Sequence, residues 1–126
     1  MPDTTLSRIR QIAVNSKDVP RAVKFYRDVL GLQFLFDAGP NLAFFDCGGV
    51  RLMLTTAEGP ELDHPSSVLY FLVGDIHAAR TQLVAKGVDF VDEPHVIAKM
   101  PDHDLWLTAF HDSEGNFMAL MSEVRG

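Results

Sequence analysis

The chain carries one pattern written twice. Asp18 and Asp75 lie 57 residues apart, as do Gln11 and Val68, while Gly49 and Gly115 lie 66 apart. Around these landmarks the same order of elements recurs. Residues 9–15 alternate as a half-buried strand, with Ile12 and Val14 facing one way and Gln11, Ala13 and Asn15 the other. Asp18 then offers an N-cap, and Pro20 fits a first helical turn, where a missing N–H costs nothing. Val19, Ala22, Val23, Tyr26, Val29 and Leu30 follow at helical spacing, and Gly31 ends the stripe. Strands are predicted over 32–36, 42–46 and 50–55, parted by turn residues at Gly39-Pro40-Asn41 and Gly48-Gly49.

The second half runs in the same order. A strand over 68–73 leads to the cap Asp75, and Ile76, Ala79 and Leu83 mark the helix stripe, which Gly87 ends. Strands follow at 88–92, 105–111 and 116–121, with the turn Asp112-Ser113-Glu114-Gly115 between the last two. The glycine spacing is 28 residues here (Gly87 to Gly115) against 18 in the first half (Gly31 to Gly49). The extra residues, 93–104, are predicted to form a loop. The reading is an α+β fold in one domain, 1–126: βαβββ modules at 8–56 and 67–122, helices near 19–30 and 76–86, and a linker at 57–66. Two such modules, paired within a chain or across a dimer, enclose a cup between curved sheets.

Composition narrows the function. Net charge is −6, and the 11 Lys and Arg are scattered, so no basic patch is present to neutralise phosphates; no nucleic-acid partner is expected. No apolar run approaches the ~20 residues of a membrane span, and the opening MPDTTLSRIRQ has no signal-peptide core. A single Cys47 excludes a disulfide framework and fits a reducing, cytoplasmic setting. These features point to a protein for small molecules.

Three stretches carry a resemblance. IRQIAVNSKDVPRAVKFYRDVLGL, YFLVGDIHAARTQLVAKGVDF and FHDSEGNFMALMSE together resemble, over residues 8 to 123, the vicinal-oxygen-chelate superfamily of glyoxalases, bleomycin-resistance proteins and extradiol dioxygenases. The last stretch is similar to that family's D-P-D-G-N turn, with Ser113 and Glu114 replacing Pro and Asp. The resemblance implies the βαβββ cup and a homodimer. It does not select an activity, because the family spans lyases, epimerases, dioxygenases and drug-binding proteins.

The resemblance also places the family's four metal-ligand positions on Gln11, Met53, Val68 and Ala119. Divalent ions such as Zn, Ni, Fe or Mn take nitrogen and oxygen donors. Gln11 is the only surviving ligand position: Val68 and Ala119 offer no donor, and the Met53 thioether is too soft. No cofactor is therefore expected at the usual site. If the alternation holds, Gln11, Ala13, Asn15, Met53, Thr55, Val68, Tyr70, Leu72, Phe117 and Ala119 face inward. Such a lining suits a largely apolar small molecule, with Gln11, Asn15 and Tyr70 fixing its orientation and Trp106 close by.

The segment 93–104 brings two histidines, His95 and His103, just before Trp106. Three readings compete for them. They are catalytic, as general base and proton donor; or they join Gln11 in a displaced metal site; or they pack locally, with His103 bonded to Asp102 or Asp104. His64, His77 and His111 read as surface groups. Cys47 has no activating neighbour fixed by sequence, and Ser66, Ser67 and Ser113 lack a nucleophile-elbow context. Gly48-Gly49 is a hairpin turn without a following helix, so not a phosphate cradle. Arg51 shares the strand parity of Met53, which leaves it either a solvated residue or a contact for an anion. The functional reading is a metal-independent binder of an apolar small molecule. Its alternative is a lyase, isomerase or dioxygenase of the glyoxalase kind, using a displaced metal or the two histidines.

Overall fold

The computed structural model describes residue 4 and residues 6–126. Two sheets and two helical segments give a mixed α+β fold. The first sheet contains β1 (Gln11–Asn15), β2 (Gln33–Asp37), β3 (Leu42–Cys47) and β4 (Val50–Thr55), in the order β1-β4-β3-β2. β1 runs parallel to β4, and the other neighbours are antiparallel. The second sheet repeats this order with β5 (Tyr70–Leu72), β9 (Phe117–Val124) and β8 (Asp104–His111). The outer edge of β8 is shared by two short strands, β6 (Asp89–Phe90) and β7 (His95–Lys99).

The strand β7 corrects the expectation of a loop over 93–104. His95 to Lys99 alternates in exposure and carries β-branched Val96 and Ile97, both suited to a pleated edge. β8 has 8 residues against 6 in β3, so its edge offers backbone groups that need partners. Where β6 breaks off, Asp92 fills the gap. Its Oδ1 accepts from the Ala109 N–H at 2.9 Å and from the Thr108 hydroxyl at 2.8 Å.

Both helices start at the predicted caps. Asp18 accepts from the Arg21 N–H at 3.1 Å, and Asp75 accepts from the Ala78 N–H at 3.0 Å. The first helix is regular over α1 (Val19–Lys24) and then widens through a π turn at Phe25–Val29, where the Leu30 N–H reaches back five residues to Phe25 O at 3.0 Å. The second is α2 (Ile76–Ala85). Gly31 ends the first with φ +78°, a conformation open to glycine at little cost. No helix among the described residues is long and apolar enough to cross a membrane.

One core joins the two units. Val14, Tyr26, Phe45, Leu52 and Leu54 from the first pack in the same cluster as Ile76, Val88, Phe110, Met118 and Leu120 from the second. Burying each large side chain stabilises by about 1.5–3 kcal/mol. Since these residues occupy the helix-facing side of each strand, their alternates lie on the opposite, open face. Polar bonds join the units at the end of β1. The Asn15 N–H donates to Ser66 Oγ at 2.6 Å, and Asn116 Nδ2 donates to Asn15 O at 2.8 Å.

Candidate functional site

The open face of the first sheet is floored by alternate residues of β1 and β4. Parallel pairing sets Gln11 beside Arg51, Ala13 beside Met53 and Asn15 beside Thr55. The linker then folds back over one end. Asn15 Nδ2 donates to His64 O at 2.9 Å, and this holds the linker against the strand ends. A cleft of about 310 Å³ results, lined by Ala13, Asn15, Met53 and Thr55 from the strands and by residues such as Leu62 and His64 from the linker. Its floor is apolar at Ala13 and Met53 and polar at Asn15.

Gln11 lies one step beyond the cleft, and its amide is committed on both sides. Arg51 Nε donates to Gln11 Oε1 at 2.7 Å, while Gln11 Nε2 points to Met53 Sδ at 3.5 Å. A guanidinium has only donors, so the amide oxygen must face it. The Arg51 guanidinium also stands over the Phe44 ring, 5.5 Å from its centroid.

The other predicted residues lie apart from this cleft. Tyr70 is 55% exposed on the open face of β5 and pairs in register with Ala119, which is 1% exposed. Phe117, further along β9, meets the His111 ring edge-on at 5.6 Å. Val68 precedes β5 and is half-buried. Trp106 belongs to the opposite side of its sheet. Its ring lies 5.3 Å from His77 of α2 and packs against the core, because even-numbered residues of β8 such as Phe110 face the helices. Trp106 therefore stands on the face of its sheet opposite Tyr70 and Phe117.

The two histidines of the 93–104 segment are held locally. His103 Nδ1 lies 2.7 Å from Asp102 Oδ1, and the His103 side chain is only 13% exposed. That hydrogen bond is the main cause holding the Asp102 carboxyl below its usual range. His95 Nδ1 bonds to Glu93 O at 2.8 Å, which puts a proton on Nδ1 because a carbonyl only accepts.

The four family metal positions do not fit a divalent ion. Met53, Val68 and Ala119 supply no hard donor, and the Gln11 oxygen faces a permanent cation. Among the described residues, no group of three or more His, Cys, Asp or Glu is placed to hold a metal.

Comparison with known proteins now decides the family. Residues 8–120 match the family model described as the Glyoxalase/Bleomycin resistance protein/Dioxygenase superfamily. The chain belongs to that superfamily. Its fold is shared with solved structures. A lactoylglutathione lyase from Agrobacterium tumefaciens superposes with a TM-score of 0.72 at 23% identity, covering 92% of this chain and 93% of that one. TnmS3, an antibiotic binding protein from a Streptomyces species, gives 0.75 at 21% identity, covering 96% and 99%. A superfamily member from Sphaerobacter thermophilus gives 0.74 at 24%, covering 94% and 98%. No curated protein matches the chain in sequence. The fold is thus shared by a lyase and by an antibiotic binding protein.

Sequence reasoning named Gln11, Asn15 and Met53 but missed what surrounds them. It left Arg51 as a choice between solvent and anion, although strand parity put it beside Gln11. It also read Leu62, His64 and Ser66 as plain linker. The one available signal was Leu62, an isolated apolar residue in a polar stretch.

Proposed function

We propose that this superfamily member binds a small, largely apolar molecule on the open face of its sheets, without a metal at the usual site. The observation that carries the reading is the 310 Å³ cleft on Ala13, Asn15, Met53 and Thr55. Its volume is within the range of small-molecule sites, and it sets apolar Ala13, Met53 and Leu62 among hydrogen-bonding groups such as Asn15, Thr55 and Ser66. The donor set at the family metal positions supports the same conclusion, as it leaves the cleft no Lewis acid to act with. The antibiotic binding protein on this fold gives the reading a precedent. The exposed Tyr70, Leu72 and Phe117 on the second sheet's open face favour a second copy of the chain, which would cover them and close the cup.

Calorimetric titration with a panel of planar aromatic compounds tests the reading. Binding is expected in wild type and should be abolished by Ala13→Trp, which fills the cleft from an exposed strand position. Trp106 fluorescence is a poor reporter, since that ring lies behind the sheet. No binding across the panel, or binding that survives Ala13→Trp, would sink the proposal.

A further inference from the structure

We infer that Arg51 is an anion anchor, and that the cleft's ligand is an apolar or aromatic molecule bearing a carboxylate. This rests on the cleft being the ligand site. Arg51 sits on β4, which is flanked by β1 and β3 and so lies inside the sheet rather than at its edge. Its side chain shares the open face with Met53 and lies two residues along the strand, or roughly 7 Å, from the cleft floor.

A solvated arginine is mobile, but this one is held at two points. Gln11 takes Nε at 2.7 Å, and the Phe44 ring supports the guanidinium plane at 5.5 Å. Among the described residues, no hydrogen bond or ion pair engages Nη1 or Nη2. Asp46 stands opposite Arg51 in the β3–β4 ladder, yet the two form no ion pair within 4.0 Å. The fork that matches a carboxylate is therefore oriented, on a face that carries Ala13, Met53 and Phe44 besides Gln11 and Asp46.

The cleft's linker end carries Glu58, which repels an anion, while Met53 on its floor stands two residues along β4 from Arg51. A bound aromatic acid would lay its rings over Ala13 and Met53 and direct its carboxylate away from Glu58. Phe36 and Phe44, with ring centroids 4.7 Å apart on the same sheet, extend the aromatic surface beside the anchor.

The experiment is calorimetry with 2-naphthoate and its neutral partner 2-naphthamide. Wild type is expected to bind the acid about 10-fold or more tightly than the amide, the scale of a charge-assisted bond. Arg51→Gln should remove that preference and leave amide affinity within about two-fold of wild type. Gln11→Glu should do the same, because its carboxylate would occupy Arg51 from within the protein. The anchor is overturned if wild type shows no preference, or if Arg51→Gln weakens acid and amide equally. In both cases amide binding would leave the cleft reading standing. If neither compound binds wild type, the cleft reading falls and the anchor falls with it.

Discussion

The Tyr26 hydroxyl, on the first helix, donates a 2.7 Å hydrogen bond to Asp112 Oδ2, in the turn before the last strand of the second unit. The two residues are 86 apart in sequence and both are buried. Asp112 also accepts from the backbone N–H of Glu114 and of Asn116, each at 2.8 Å, and from Asn116 Nδ2 at 2.9 Å. Four donors thus satisfy a carboxylate that would otherwise be costly to bury. Burial first, and then the Asp112 charge, push the Tyr26 hydroxyl far above its ordinary pKa.

Tyr26→Phe keeps the ring but removes one donor from this carboxylate. Hydrogen bonds to charged groups contribute about 1.5–3 kcal/mol, and the loss should fall in that range. Urea denaturation gives the number directly, with an unchanged slope and a lower midpoint. An unchanged midpoint would mean that the link between the units contributes nothing.

Glu114, in the same turn, governs behaviour in acid. It accepts from Arg21 Nε at 2.8 Å, from the Asp18 N–H at 2.8 Å and from the Ser113 hydroxyl at 2.9 Å. Burial alone would raise its carboxyl, but these bonds outweigh burial and hold it below the usual glutamate value. A depressed folded-state pKa contributes stability that is complete above the unfolded value, near 4.3, and is lost as pH falls through the folded one. Glu114→Gln should therefore flatten the decline in urea midpoint between about pH 5 and pH 3, while lowering the midpoint at pH 7. Parallel declines in the two proteins would contradict this.

Most of the fold could be read because its signals are local. Asp18 and Asp75 cap helices through their own backbones, and the alternation of Ile12 and Val14 needs only one buried face. The loop expected over 93–104 was a misreading of the same kind of signal. His95 to Lys99 alternates, but the ten extra residues between Gly87 and Gly115 read as an insertion, and glycine spacing does not distinguish an added edge strand from a loop. The π turn at Phe25–Val29 leaves no mark in a helical stripe. The candidate site was legible only where strand parity sufficed, at Ala13, Asn15, Met53 and Thr55. What roofs the cleft depends on Asn15 reaching His64 O, 49 residues away, and no spacing rule gives that. Trp106 was associated with the ligand because it follows the two histidines, although its even position on β8 already assigned it to the helix side.

The second sheet's open face supports an assembly prediction. Tyr70 and Leu72 project from β5 with more than half of their surface in water. Covering them against a second copy would remove apolar area worth about 25 cal/mol per Å². Light scattering at micromolar concentration should give twice the 14.0 kDa chain mass, and Leu72→Glu should return it to one chain. A wild-type protein that scatters as a single chain would count against the closed cup.

Metal dependence follows from Gln11 and Arg51 taken together. A divalent ion at the family position would need the Gln11 oxygen, which lies 2.7 Å from Arg51 Nε. It would also sit beside a guanidinium that does not lose its charge. The remaining positions, Met53, Val68 and Ala119, cannot offset that repulsion with hard donors. Purified protein is therefore expected to carry well under one equivalent of Zn, Ni, Fe, Mn or Co. A ligand present at 100 times its dissociation constant stabilises a protein by about 2.7 kcal/mol, a shift of several degrees in melting temperature for a chain of this size. Neither EDTA nor added Zn²⁺ or Ni²⁺ should move the melting temperature by that much. The control is Arg51→Gln combined with Val68→His and Ala119→Glu, which removes the cation and restores two donors. A metal-induced rise in that variant, absent from wild type, would show that the missing donors and the guanidinium are what exclude the ion. Stoichiometric metal in wild type would refute this account and revive a displaced site at the histidines.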